Sequence, residues 1–212
     1  MISSYKELTI NKYLELQELL NEEMDDLALQ VRLIAVLSGV SEDEILDLPL
    51  DEYQKLVAKT SFLTEKPKTS KNVPNKIVIG GKKYTICKSV PNMNVAQYID
   101  YHSWSSHNEQ DKHISNILAC FIIPEGHKYG DGYDLGEVTD SIANNMSIED
   151  AIAVCFFFHN KYRRTIEDML IYLDWKIRRM KRKVKDKTTM TKLKEATDQV
   201  TLLRDSLQSG LG

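Results

Sequence analysis

Three histidines, His102, His107 and His113, with Trp104 and Asp111 between them, are the residues in this chain that come nearest to a metal-ligand set. Their separations of five and six residues put no two of them on one helical turn, no cysteine lies close in sequence, and 103–110 reads as a polar loop. A bound metal is therefore not expected, and no cofactor is implied. Cys155 and His159 are four residues apart and share a helix face, the arrangement of an activated thiolate or of two zinc ligands. Cys155, however, is flanked by Val154 and by Phe156, Phe157 and Phe158, where a small buried thiol is the ordinary outcome. Two acidic clusters, Glu22, Glu23, Asp25 and Asp26, then Glu42, Asp43, Glu44 and Asp47, are accounted for by favourable charge at helix N-termini. No glycine-rich phosphate loop, HExxH or GxSxG motif occurs, so the chain reads as a protein that is not an enzyme.

The strongest functional feature is a run of cations, Lys176, Arg178, Arg179, Lys181, Arg182, Lys183 and Lys185. Three readings stay open for it: a solvated helix surface, a docking face for an acidic protein partner, and a weak nucleic-acid contact driven by counterion release. Few aromatics are interleaved with these charges, which argues against stacking on single strands.

These cations must be positioned by a long helix spanning 147–184. Ser147 followed three residues later by Asp150 is a capping-box-like start, and Ile148, Ala151, Ile152, Val154, Cys155 and the three phenylalanines are apolar almost all round, so this first third is expected to be buried. Beyond it Tyr162, Ile166, Leu170, Leu173, Ile177, Met180 and Val184 keep one apolar seam in helical register. After 186–189 a last helix carries Met190, Leu193, Val200, Leu203 and Leu207 on a second seam and ends at Gly210. The simplest closure is a hairpin of the two helices. Phe156, Phe157, Phe158, Ile177, Met180, Val184, Leu193, Val200, Leu203 and Leu207 are the candidate interface residues, within one chain or between chains.

The rest of the chain divides by composition. Residues 1–64 read as four short helices: one capped by Thr9; one opened by Asp25 or Asp26 and stopped by Gly39; one with a capping box at Ser41; and one with Pro49 in its first turn, reaching Phe62. Residues 65–75 are a Lys/Pro/Thr/Ser/Asn linker. The segment 76–89 holds two β-branched runs around Gly80 and Gly81, a β-hairpin that must lean on helices or extend a neighbour's sheet. Residues 90–160 form a second helical bundle, with helices over 94–101, 111–122 and 134–144, and 161–212 complete the helical hairpin with its basic face. Three blocks recur in order, 8–16 in 93–101, 32–37 in 116–121 and 48–52 in 146–150, the pattern of an internal duplication or of two amphipathic bundles aligning by chance. The expected fold is mainly α, two helical bundles with one β-hairpin and a C-terminal long helical hairpin.

A net charge of -3 and a pI near 6.0 argue against a protein that coats nucleic acid. Cys87, Cys120 and Cys155 lie far apart and are expected to be free thiols in a reducing compartment. The N-terminus has no apolar signal region, and the longest apolar stretch, 114–124, falls short of the roughly 20 residues that span a bilayer, so no membrane is expected.

The run 29–53, with Leu33-Ile34-Ala35-Val36-Leu37, Gly39, Ser41-Glu42-Asp43-Glu44 and Leu48-Pro49-Leu50 before Tyr53, resembles the small helical tail assembly chaperones of tailed bacteriophages. The second half, with Ile117-Leu118-Ala119-Cys120-Phe121-Ile122-Ile123-Pro124, Tyr133-Asp134 and Phe156-Phe157-Phe158, is similar to structural-region proteins of phages of gut bacteria, including the crAss-like group. The resemblance implies a phage protein of the tail or head–tail region, located in the virion or in the host cytoplasm during assembly. Its partners would be other phage structural proteins, a helical client, or copies of itself. Chaperones of that kind are shorter, so the long basic helix sets a virion component beside the alternative of an assembly chaperone that holds a helical client and is absent from the virion.

Overall fold

The structure, a computed structural model, describes residues 1–68, 72–89, 92–107, 110–181 and 187–209, with side chains at all of these except 110–111, 159, 162–169, 187–188 and 202–209. The chain is mainly helical with one small antiparallel sheet, as the sequence pattern predicts. It forms two compact units, Met1–Phe157 and Phe158–Gly212.

In the first unit, local capping chemistry places most helix starts. Thr9 accepts from the Lys12 amide to open α1 (Ile10–Leu20). Asp25 accepts from the amides of Leu27 and Ala28 to open α2 (Asp26–Ser38), which closes on Gly39 in the left-handed region at φ 71°. Ser41 accepts from the Glu44 amide at the head of α3 (Glu42–Leu46). Pro49 sits at the cap position of α4 (Leu50–Lys59) rather than inside its first turn, and α4 tightens into a 3₁₀ turn, Thr60–Thr64, before reaching the expected end. The core of this region is Val31, Ile34, Ala35 and Ile45, with Leu48, Tyr53, Leu56 and Val57 packed on it.

The hairpin is β1 (Lys76–Ile79) and β2 (Lys82–Ile86), with Ile79 opposite Lys82. Gly80 and Gly81 have φ 56° and 78°, the positive pair that a two-residue turn matching strand twist requires. A third strand, β3 (Ile122–Pro124), pairs antiparallel with β2, Ile86 opposite Ile122. This corrects the sequence reading, in which 122 ends a helix: a 3₁₀ turn, Gln110–His113, leads into a short α6 (Ile114–Ala119), and the β-branched pair Ile122-Ile123 then joins the sheet. Proline ends this strand at the sheet edge, where a missing N–H is tolerated. Ile79, Tyr84 and Ile86 point inward, and Tyr84 lies 3.3 Å from Ser141 of α7 (Leu135–Asn145), so the sheet leans on that helix.

The expected bundles 1–64 and 90–160 fall, as far as Phe157, in one compact unit, and a backbone clasp joins them. Thr9 and Ser147 form an antiparallel bridge, with the Ile10 amide donating to Met146 O at 3.2 Å and the Ile148 amide to Leu8 O at 2.7 Å. Leu8, Ile10, Met146 and Ile148 are all buried there, and Asn11 Nδ2 donates to Asn144 Oδ1 at 2.8 Å. A hydrophobic N-terminal segment thus finds its cover at a helix junction distant in sequence. Of the three recurring blocks, the first and third fall at corresponding helix starts, since Asn94 caps α5 (Val95–Ser105) as Thr9 caps α1, and α8 (Ile148–Lys181) starts where α4 does in the matching block. The middle block does not correspond, because 32–37 lie within α2 while 116–121 run out of α6.

The second unit holds the distal part of α8 and α9 (Lys187–Ser209). Leu170, Ile177, Leu193 and Val200 make its core, with Leu173 and Ala196 packed against them.

Candidate interaction surface

The inner stripe of α8 is already occupied by its own hairpin. Ile177, Leu193 and Val200, read from sequence as interface residues, are 6%, 9% and 8% exposed inside the seam. Met180 and Met190 are each 38% exposed. Val184 lies outside the described residues, as do the side chains of Leu203 and Leu207, Tyr162 and Ile166.

A second stripe runs along the outside of α8. Residues at i, i+3, i+4 and i+7 line one face of a helix, and Tyr172, Trp175, Lys176 and Arg179 have that spacing. Tyr172 and Trp175 are 54% and 52% exposed, and Ile171 beside them 60%. The two rings are 6.1 Å apart; Lys176 Nζ stands 5.9 Å from the Tyr172 ring and Arg179 Cζ 5.4 Å from that of Trp175. Each cation–π contact is worth about 0.5–1 kcal/mol at an exposed site, which offsets part of the rotamer entropy of a long side chain held over a ring. Arg178 pairs with Asp174 at 3.0 Å, and Lys181 Nζ is tied to Thr197 Oγ1 at 2.8 Å. Of the predicted basic face, Lys176, Arg178 and Arg179 are therefore exposed and Lys181 is half-buried, while Arg182, Lys183 and Lys185 lie outside the described residues. The sequence reading missed the aromatic half of this surface. The seam's period drew attention to one helix stripe, whereas Ile171, Tyr172 and Trp175 belong to the next.

The three phenylalanines are separated by geometry. Consecutive helix residues step about 100° around the axis, so three in a row cannot all face one core. Phe158 is 3% exposed, Phe157 is half-buried with Lys88 Nζ 5.8 Å from its ring, and Phe156 is 52% exposed, which corrects the expectation of burial all round.

The histidines are divided. His107 and His113 come together, ring centroids 4.7 Å apart, with Trp104 at 5.8 and 5.1 Å from them. His102 instead meets Ser106 and Tyr98, and the side chain of Asp111 lies outside the described residues. Among the described residues no group of three or more His, Cys, Asp or Glu is placed to hold a metal ion. Burial pushes the thiols of Cys120 and Cys155 up to about 12, which holds them in the unreactive SH form; the side chain of His159 lies outside the described residues. Near Cys120 a buried polar network assembles: Gln97 Nε2 donates to Cys120 O, and Tyr129 Oη donates to Asp100 Oδ2 at 2.7 Å, burial and that bond raising the phenol's pKa.

Grooves lie among the described residues of the first unit. One of about 550 Å³ lies between α1 and α2, where Arg32 bridges Glu22 at 2.6 Å and Glu42 at 2.9 Å. Another, of about 400 Å³, is lined by Tyr84, Pro124, Tyr133 and Glu137. No helix among the described residues is long and apolar enough to cross a membrane. No family model, curated protein or solved structure matches the chain.

Proposed function

We propose that this chain is a non-enzymatic structural protein of a tailed-phage particle, in the tail or head–tail region, working through protein–protein contacts. The observation that carries the contact role is the outer stripe of α8. Trp, Tyr and Arg are the side chains that dominate binding energy at protein interfaces, and here they stand together on a helix whose opposite stripe is already packed. The placement in a phage rests on the sequence resemblance over 29–53 and the second half. The test is mass spectrometry of purified particles of the virus that encodes the chain. Presence at a fixed copy number supports a virion component. Absence from particles, with co-purification of a long helical client from infected cells, moves the chain to the assembly-chaperone class.

The exposed rings of Tyr172 and Trp175 beside Lys176 and Arg179 also favour one further reading, a nucleic-acid contact, since bases stack on aromatic side chains within a cationic surface. That contact would fall steeply with salt, and the absorbance ratio of the purified protein at low and high salt separates it from protein docking.

A further inference from the structure

We propose that the outer stripe of α8 docks on the acidic N-terminal region of a second copy of this chain, a head-to-tail contact that leaves each end of the assembly open to another copy. The inference deepens the reading as a contact protein, on which it rests, and names the partner.

Charge complementarity selects the occupant. Residues 1–64 hold 13 Asp and Glu against five Lys and Arg, a net charge of -8, whereas residues 158–212 hold 14 Lys and Arg against seven Asp and Glu, a net charge of +7. The modest overall charge of -3 hides a chain that is nearly a dipole along its sequence. The acidic region also exposes apolar side chains of the kind a contact would cover. At the corner where α3 passes to α4, Leu46 and Leu50 are 66% and 70% exposed. Six carboxylates, Glu42, Asp43, Glu44, Asp47, Asp51 and Glu52, lie with them between 42 and 52, a segment with no Lys or Arg. Glu42 and Asp51 are engaged by Arg32 and Lys55, while Asp43, Glu44, Asp47 and Glu52 make no ion pair among the described residues. The stripe on α8 has the matching composition, Ile171, Tyr172 and Trp175 beside Lys176 and Arg179, while Arg178 is engaged by Asp174. Exposed apolar side chains among carboxylates thus meet exposed apolar side chains among cations.

Because the two surfaces differ, the contact is heterologous: it closes into a ring if the rotation between copies allows, and otherwise extends as a stack. Both outcomes suit a component of a tail or neck.

The test is sedimentation velocity over a concentration series at ~0.05 M and ~0.5 M salt, where screening shortens the range of charge interactions severalfold. The expected result is mass that grows with concentration at low salt and falls back at high salt. Two exposed-site variants, K176E/R179E and D47K/E52K, each remove one surface and keep the other. Each is expected to lose self-association, its dissociation constant rising at least about tenfold. Mixed together they should associate again, since the intact stripe of one meets the intact corner of the other. Circular dichroism and melting confirm that both variants are folded. A wild-type chain that stays monomeric at low salt overturns the proposal. So does self-association that survives K176E/R179E, or a mixture of the two variants that remains monomeric. Particle association of a chain that fails this test would leave the structural role standing with a different partner.

Discussion

Replacing Gln97 by Glu should convert a hydrogen bond in the core into a pH-dependent weakness. Gln97 is 3% exposed on α5, and its Nε2 donates to the carbonyl of Cys120, where α6 gives way to β3. The Asn94 side chain caps the same helix on the Gln97 amide at 2.8 Å. Glu is nearly the same shape, but only its protonated form can donate to that carbonyl. Burial and the facing oxygen both favour the protonated form, so its pKa in the folded state lies above the value of about 4.3 in the unfolded chain. A group with a raised folded pKa contributes its stability below the unfolded pKa and loses it as pH rises. The variant should therefore match the wild type near pH 4 and lose about 1.4 kcal/mol for each pH unit above it, until the folded pKa is reached. If that pKa exceeds 7, the loss at neutral pH is about 3.7 kcal/mol, a large share of the ~5–15 kcal/mol that holds a domain folded. Urea unfolding followed by tryptophan fluorescence at a series of pH values measures it. Gln97→Leu is the control: it leaves the carbonyl without a donor at a cost of about 1–3 kcal/mol with no pH slope. A loss for Gln97→Glu that is flat with pH would refute the assignment of this bond as a buried, water-excluded clamp between α5 and the sheet.

Ile148→Ala should cost about 2–5 kcal/mol, because Ile148 is fully buried where its backbone joins Leu8, and residues 1–157 should still unfold in one transition; two separate transitions would contradict the clasp. Cys120 and Cys155, held near pKa 12, should resist a thiol reagent at pH 8 in the folded protein and react on unfolding, with the rate tracking denaturant. Gly80→Ala should destabilise more than Gly81→Ala. Both carry the strain of a left-handed residue, about 1–2 kcal/mol, but a Cβ at Gly80 would also stand 3.2 Å from Asn145 Cγ while one at Gly81 meets nothing within 4 Å, a difference that melting temperatures resolve.

Features with local causes are legible in the residues alone. Thr9, Asp25, Ser41, Asn94 and Asp134 each bond an amide within three residues, so these helix starts are written in short stretches of chain. The Gly80-Gly81 turn and the Leu170, Ile177, Leu193 and Val200 seam can be read in the same way, since positive φ and helical period belong to the residues themselves. Three other features depend on long-range packing. Ile122 and Ile123 became strand because an unpaired β2 edge lay beside them, a non-local demand that a short apolar run cannot announce. The clasp between Leu8 and Ile148 joined two regions that composition separates at 65–75, because each supplied the apolar cover the other lacked. The outer stripe of α8 emerged as a surface only once the hairpin had taken the other stripe. Periodicity shows that a helix has two faces, and packing decides which one is left to meet a partner.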